Sequence, residues 1–173
     1  AAWAQLVGSG HVDDSVVKPE VAQSWLRCSA LGINCQAPKL PVQLNDRQIV
    51  ALRDENRDYI EAALPFMEFL RTAVKGTGFI LVLTERSGVV LEVFGDDEII
   101  AMARDNNYVP GCSRAEEVAG ANAISLALIE KKPVQLVGAE HWNVRHHRWT
   151  CASAPVFSQD GMLLGTVTLS GET

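Results

Sequence analysis

The unbroken apolar run Phe79-Ile80-Leu81-Val82-Leu83 constrains the fold more than any other stretch, because a strand of this kind has to be covered on both faces. Glu85-Arg86-Ser87-Gly88 then turns the chain into a second apolar run over residues 89–94, which predicts a hairpin whose Gly88 takes positive φ. A hairpin of the same form is predicted further on, where Ser158-Gln159-Asp160-Gly161 joins strands over residues 149–157 and 162–169. A lone strand is expected over residues 134–137, with helices over 96–104 and 122–131 and a loop over 106–113. Two hairpins, a lone strand and intervening helices define an α+β class, a central, mostly antiparallel sheet of five to six strands with helices on both faces.

Ahead of the sheet, residues 1–17 read as a weakly ordered lead-in. Pro19 suits a first helical position and Glu20 the positive helix end, and Val21, Trp25, Cys28 and Leu31 follow at helical spacing until Gly32. Trp25 is read as core packing. Residues 33–42, with Pro38 and Pro41 and no periodicity, form a linker. Asn45 and Gln48 then open a capping-box helix that runs to a left-handed stop at Gly76. Its apolar face carries Ile49, Leu52, Ile60, Ala63, Met67, Leu70 and Val74, and Pro65 predicts a kink or break because it cannot donate to the carbonyl of Glu61. That face either packs on the sheet or forms a homodimer through the helices of residues 45–75. The organisation expected is a lead-in with a short helix over residues 1–43, and a main domain over 44–173 that includes the long helical segment as its N-terminal extension.

With a formal charge of −6 the chain is a poor candidate for direct nucleic-acid binding, and its compact basic cluster is confined to Arg145-His146-His147-Arg148. Hydrophobic residues make up 47% and charged residues 21%, a globular balance, with no apolar run long enough for a membrane span and no export signal. A cytoplasmic location is expected, and a start at Ala1-Ala2 without Met suggests a processed or excised fragment. Cys28, Cys35, Cys112 and Cys151 have no paired spacing and are read as reduced thiols. No phosphate loop, nucleophile elbow or His-Glu-x-x-His motif occurs, so no catalytic residue and no cofactor is assigned.

Polar chemistry gathers between residues 110 and 155, where three of the four histidines and two of the four tryptophans lie. Aromatic walls with a few polar groups suit a small-molecule pocket. The candidate ligand-binding set is Glu117, Asn122, His141, Trp142, Trp149, Cys151 and Ser153. Strand alternation puts Cys151 and Ser153 on one face and Thr150, Ala152 and Ala154 on the other. In the competing structural account Glu117 and Asn122 cap the following helix, and Glu140 pairs with Arg145 or Arg148. A zinc or iron site would use His141, His146, His147 and Cys151, although adjacent histidines in a turn point apart. A thiol mechanism of the methionine-sulfoxide-reductase kind would need Cys151 activated by His147 and Arg148, and a resolving thiol such as Cys112.

The chain also resembles a known family. The residues that carry the likeness are Pro110-Gly111, Glu116-Glu117, Gly120-Ala121-Asn122, Ala127-Leu128, Glu140-His141-Trp142, His146-His147, Thr150-Cys151-Ala152-Ser153-Ala154-Pro155, Asp160-Gly161 and Leu169-Ser170-Gly171, with Ser24–Cys28 upstream. Together they resemble the GAF-type N-terminal sensory domain of sigma-54-dependent transcriptional activators of the acetoin- and glycerol-regulator kind. Ala121 stands where Thr is usual, and Ser113-Arg114 where a Ser/Trp-like pair is usual. The resemblance implies a GAF-like fold and a small-molecule effector as partner. It also implies control of an ATPase and DNA-binding module outside this chain. The Asn-Lys-Phe-Asp-Glu signature of cyclic-nucleotide-binding GAF domains is absent.

Overall fold

A computed structural model describes residues 2–12, 15–38, 40, 43–106 and 108–172. The predicted first hairpin is β1 (Phe79–Glu85) with β2 (Val90–Phe94), and the second is β4 (Trp149–Phe157) with β5 (Leu163–Glu172). The lone strand β3 (Val134–Val137) pairs with β4, and the sheet order is β2-β1-β5-β4-β3 with every neighbour antiparallel. The α+β reading with five strands therefore holds. β1 lies inside the sheet and its residues from Ile80 to Glu85 are all buried, as an unbroken apolar strand requires.

Alternation along the strands separates two cores. One face holds Ile80, Val82, Val134, Leu136, Trp149 and Cys151 beneath α2 (Pro19–Ala30), α5 (Asp97–Asp105) and α7 (Ala123–Glu130). The opposite face holds Leu81, Leu83 and Leu91 beneath Tyr59, Ile60 and Met67. These last three belong to α4 (Arg57–Val74), which follows α3 (Asp46–Glu55). Trp25 is buried in the first core, as read from its spacing, and Ser153 is inward with Cys151. A row of hydroxyls crosses this inner face: Ser153 meets Thr168 at 2.7 Å, and Thr84 meets Thr166 at 2.8 Å.

Four local expectations are corrected. Residues 2–9 form α1 (Ala2–Ser9) rather than a loose lead-in, held by Leu6 in the first core and by Trp3 Nε1 donating to the carbonyl of Trp142 at 3.1 Å. Leu31 is exposed, since α2 ends at Ala30 and Gly32 at φ +65° turns the chain away. The long helix breaks at Asn56, not Pro65. Asn56 folds its side chain back onto the carbonyl of Leu52 at 2.9 Å, whereas exposed Pro65 sits inside α4, where water can reach the carbonyl that it leaves unpaired. A short helix, α6 (Glu116–Ala119), also precedes α7. The predicted start at Asn45 is confirmed as a reciprocal capping box with Gln48, both bonds 3.0 Å. Pro41 of the predicted linker lies outside the described residues.

Gly165 on β5 is the tightest backbone contact in the sheet, since a Cβ there would lie 1.8 Å from the carbonyl oxygen of Thr84. Gly165→Ala is expected to lower stability by about 2 kcal/mol or more through strand displacement, measured as the urea midpoint. An unchanged midpoint would show that β1 and β5 are not in this register.

Candidate functional site

The inner face is closed at one end by three segments: residues 108–114, α6 with the start of α7, and residues 138–148. Each is fixed by backbone bonding. Gly111 N donates to the carbonyl of Val90 and Val90 N to that of Cys112, both at 2.9 Å, which ties the first segment to β2. Arg114 N donates to Gly88 O at 2.8 Å, at a turn where Gly88 has φ +88°. Asn122 is the junction. Its side-chain oxygen accepts from Ser125 N at 3.1 Å, capping α7, and its amide donates to the carbonyls of Arg114 and Gly120, each at 2.8 Å.

These constraints place the Arg114 side chain wholly inside the protein. Its guanidinium carbon lies 3.4 Å from the centroid of the Tyr108 ring, and Nη2 donates to the carbonyl of Asn106 at 2.6 Å. Nε and Nη1 have no partner, and no carboxylate forms an ion pair with Arg114 among the described residues. Tyr108 stacks on Trp149 at 6.0 Å and meets His146 edge-on at 6.0 Å, and His146 in turn meets His141 at 5.9 Å. Cys151 and Ser170, opposite each other in the β4–β5 register, line the sheet side.

The predicted residues divide in this frame. His141, Trp149 and Cys151 belong to the cluster. Trp142 is buried beside it, donating Nε1 to Ile33 O at 2.9 Å and packed where a Cβ on Gly120 would come within 2.3 Å of its ring. Asn122 caps α7 with its side-chain oxygen, as the capping account anticipated, and spends its amide on two further backbone carbonyls. Ser153 lies further along β4 in the hydroxyl row. Glu117 faces solvent, while its neighbour Glu116 is buried and held by Ser24 and by both Nε and Nη2 of Arg27, at 2.6 and 2.9 Å. Glu140 pairs with Lys18 at 2.9 Å and Arg148 with Glu172 at 2.6 Å, so neither forms the pair expected of them. Tyr108, Arg114 and Ser170 escaped the sequence reading as ligand residues. Arg114 had one visible signal, its place at a departure from the family pattern.

Electrostatics make the cluster neutral except for Arg114. Burial pushes His141 down to about 4 and His146 well below the ordinary histidine value, with Arg114 adding to the effect. His141 Nδ1 lies 3.0 Å from the carbonyl of Gly138, so Nδ1 carries the hydrogen and the unpaired Nε2 presents a lone pair. Burial pushes the Cys151 thiol up to about 11, the opposite of the activation that a thiol mechanism needs. Among the described residues no group of three His, Cys, Asp or Glu side chains is arranged to hold a metal ion, and His147 turns away to pack edge-on against Trp3 at 4.6 Å. The indole Nε1 of Trp149 is also without a partner, and the Ser170 hydroxyl makes no hydrogen bond of ordinary geometry, although it lies close enough to Cys151 and Tyr108 to act on both.

The chain belongs to the family described as the MimR N-terminal domain, which it matches over residues 1–171. It is 30% identical over 168 residues to the acetoin dehydrogenase operon transcriptional activator AcoR of Bacillus subtilis, covering 97% of this chain and 28% of that protein. It is 36% identical to a signal-transduction and transcriptional-control protein of Clostridium beijerinckii, covering 87% of this chain and 24% of that one. The chain thus spans about a quarter of the length of these relatives. The fold is also that of a chain in the E. coli DhaR(N)–DhaL complex, with a TM-score of 0.86 at 21% identity, covering 90% of this chain and 52% of that one. The GAF-like fold expected from the resemblance is confirmed.

The neutral histidines set a pH dependence. Their folded values lie below the unfolded value of about 6.5, so their stabilising contribution is present above pH 6.5 and is lost as pH falls below it, for His141 down to about 4. For His141 the loss by pH 5 is about 2 kcal/mol, and the unfolding midpoint of a His141→Phe variant is expected to fall less steeply between pH 7 and 5 than that of the parent. Parallel pH profiles would remove His141 from the buried neutral state.

Proposed function

We propose that this chain is a non-enzymatic, effector-sensing regulatory domain of a cytoplasmic transcription activator, taking a small polar molecule into the cluster around Tyr108 and Arg114. The observation that carries this reading is the set of buried, unpartnered polar atoms gathered there: Arg114 Nε and Nη1, His141 Nε2 and Trp149 Nε1. A buried polar group without a partner costs roughly 1–3 kcal/mol, so a core that served packing alone would have little reason to gather four. The family, and relatives that are operon transcriptional activators, support a regulatory role, and the raised Cys151 thiol supports the absence of catalysis. In this reading ligand binding shifts the packing of α7 and the 138–148 segment on the sheet and so biases a sigma-54-type ATPase and DNA-binding module outside the chain. Acetoin, glycerol and dihydroxyacetone operons are the settings of relatives and define the size of molecule to test first.

A second reading has its own observation. Phe66 and Phe69 on α4 are 71% and 73% exposed, beside a groove of about 700 Å³ lined by Tyr59, Ala63, Val156 and Leu164. This face suits a homodimer through the α3–α4 helices, which would place the sensor next to its copy.

Hydrogen exchange on the 173-residue chain separates the two readings. Among hydroxyketones, diols and small organic acids, one compound is expected to slow exchange in α7 and residues 138–148 without protecting α4. Protection confined to α4, dependent on protein concentration and indifferent to every compound, would contradict the sensor reading and favour the dimer module.

A further inference from the structure

We propose that the effector is a small organic monocarboxylate, and that Arg114 is the residue that receives its negative charge. The inference rests on the sensor reading and assigns the chemical class of its ligand. Arg114 is fully buried, yet among the described residues it makes one hydrogen bond, to a backbone carbonyl, and one stacking contact, to a neutral ring. Buried charges in folded proteins are paired, because an isolated one forfeits several kcal/mol of hydration. The pairing partner is missing from the side chains around it. Tyr108, Cys151, His141 and His146 are all neutral at pH 7, so none offers the counter-charge. A carboxylate supplies it, accepting from the free guanidinium nitrogens in the charge-assisted geometry for which Arg is suited. Trp149 Nε1 is a further unpartnered donor in the same cluster.

The surface beside the cluster has the matching sign. A depression of about 440 Å³ is lined by Asn106, Val144, Arg145, His147 and Arg148. Asn106 joins it to the interior, since its carbonyl accepts from Arg114 and its side-chain oxygen lies 3.4 Å from Arg145 Nε. An anion drawn to this depression meets Arg145, with Asn106 between it and Arg114, on a chain whose overall charge is −6. Among the described residues Arg114 is the one buried cation without an ion pair, which favours a monoanion over a dicarboxylate or phosphate dianion.

The test is a set of thermal melts at fixed ionic strength and pH 7.5 with acetate, propionate, lactate and 3-hydroxybutyrate, each matched against a neutral analogue: acetamide, propionamide, acetoin and 2,3-butanediol. At a hundred times its dissociation constant a bound carboxylate is expected to raise Tm by about 5–10 °C, with the neutral analogues silent. Arg114→Met, which removes the charge but keeps the length, is expected to abolish that shift while melting no lower than the parent without ligand. Stabilisation by a neutral compound and none by any acid would overturn the carboxylate inference and leave the sensor reading standing. A carboxylate shift that survives in Arg114→Met would also overturn it. Silence of the whole panel, with Arg114→Met melting well below the parent, would overturn both by showing that Arg114 is structural. If Arg114→Met does not fold, the acid-against-amide contrast in the parent decides alone.

Discussion

The carboxamide of Asn122 is the interaction on which the inner face depends. One side chain closes the N-terminus of α7, holds the carbonyl of Gly120 where the chain passes under Trp142, and holds the carbonyl of Arg114. A cap of this kind contributes about 1–2 kcal/mol on its own. Its larger effect is positional, because it joins three separately folded segments, and the direction of the Arg114 side chain follows from that junction and from the turn at Gly88.

The two faces of the sheet then do different work. On the α3–α4 side aliphatic residues meet aliphatic residues, and the remaining space is an apolar groove open to solvent. On the α7 side a hydroxyl row runs from β1 to β4 and ends at a cluster with one cation, two neutral histidines and several idle donors. Such an interior is costly, because buried polar atoms without partners each forfeit hydration. Its walls are α7 and the 138–148 segment, which is tied to residues 33–37 by Trp142 Nε1, Asn143 Nδ2 and Val144 N.

Much of the fold was legible because it rests on periodicity. The apolar run of β1, the two similar hairpins and the capping box at Asn45 are local signals, and each appears where the pattern placed it. The break at Asn56 was not legible, since nothing in the sequence tells which side of α4 faces water, and that side decides whether Pro65 is tolerated. The candidate site was read through residue types that commonly bind ligands, which picked out His141, Trp149 and Cys151 of the buried cluster. It missed Arg114 and Tyr108 because an arginine in a loop is ordinarily a surface charge. Its burial follows from three long-range backbone bonds that no local pattern records. The activation of Cys151 proposed from sequence neighbours was misjudged for a related reason: His147 packs against Trp3 and Arg148 pairs with Glu172, while the strand turns the thiol inward.

The proposed anion site stands or falls with the buried guanidinium of Arg114, whose side-chain Nε–H group gives an NMR signal that is assigned by its loss in Arg114→Met. That resonance is expected to be visible and slow to exchange with water at pH 7.5, as burial requires, and to move in a saturable way on titration with one of the small carboxylates. A signal lost to rapid exchange would place the guanidinium in solvent, and one that stays fixed throughout the titration would show that no carboxylate reaches it.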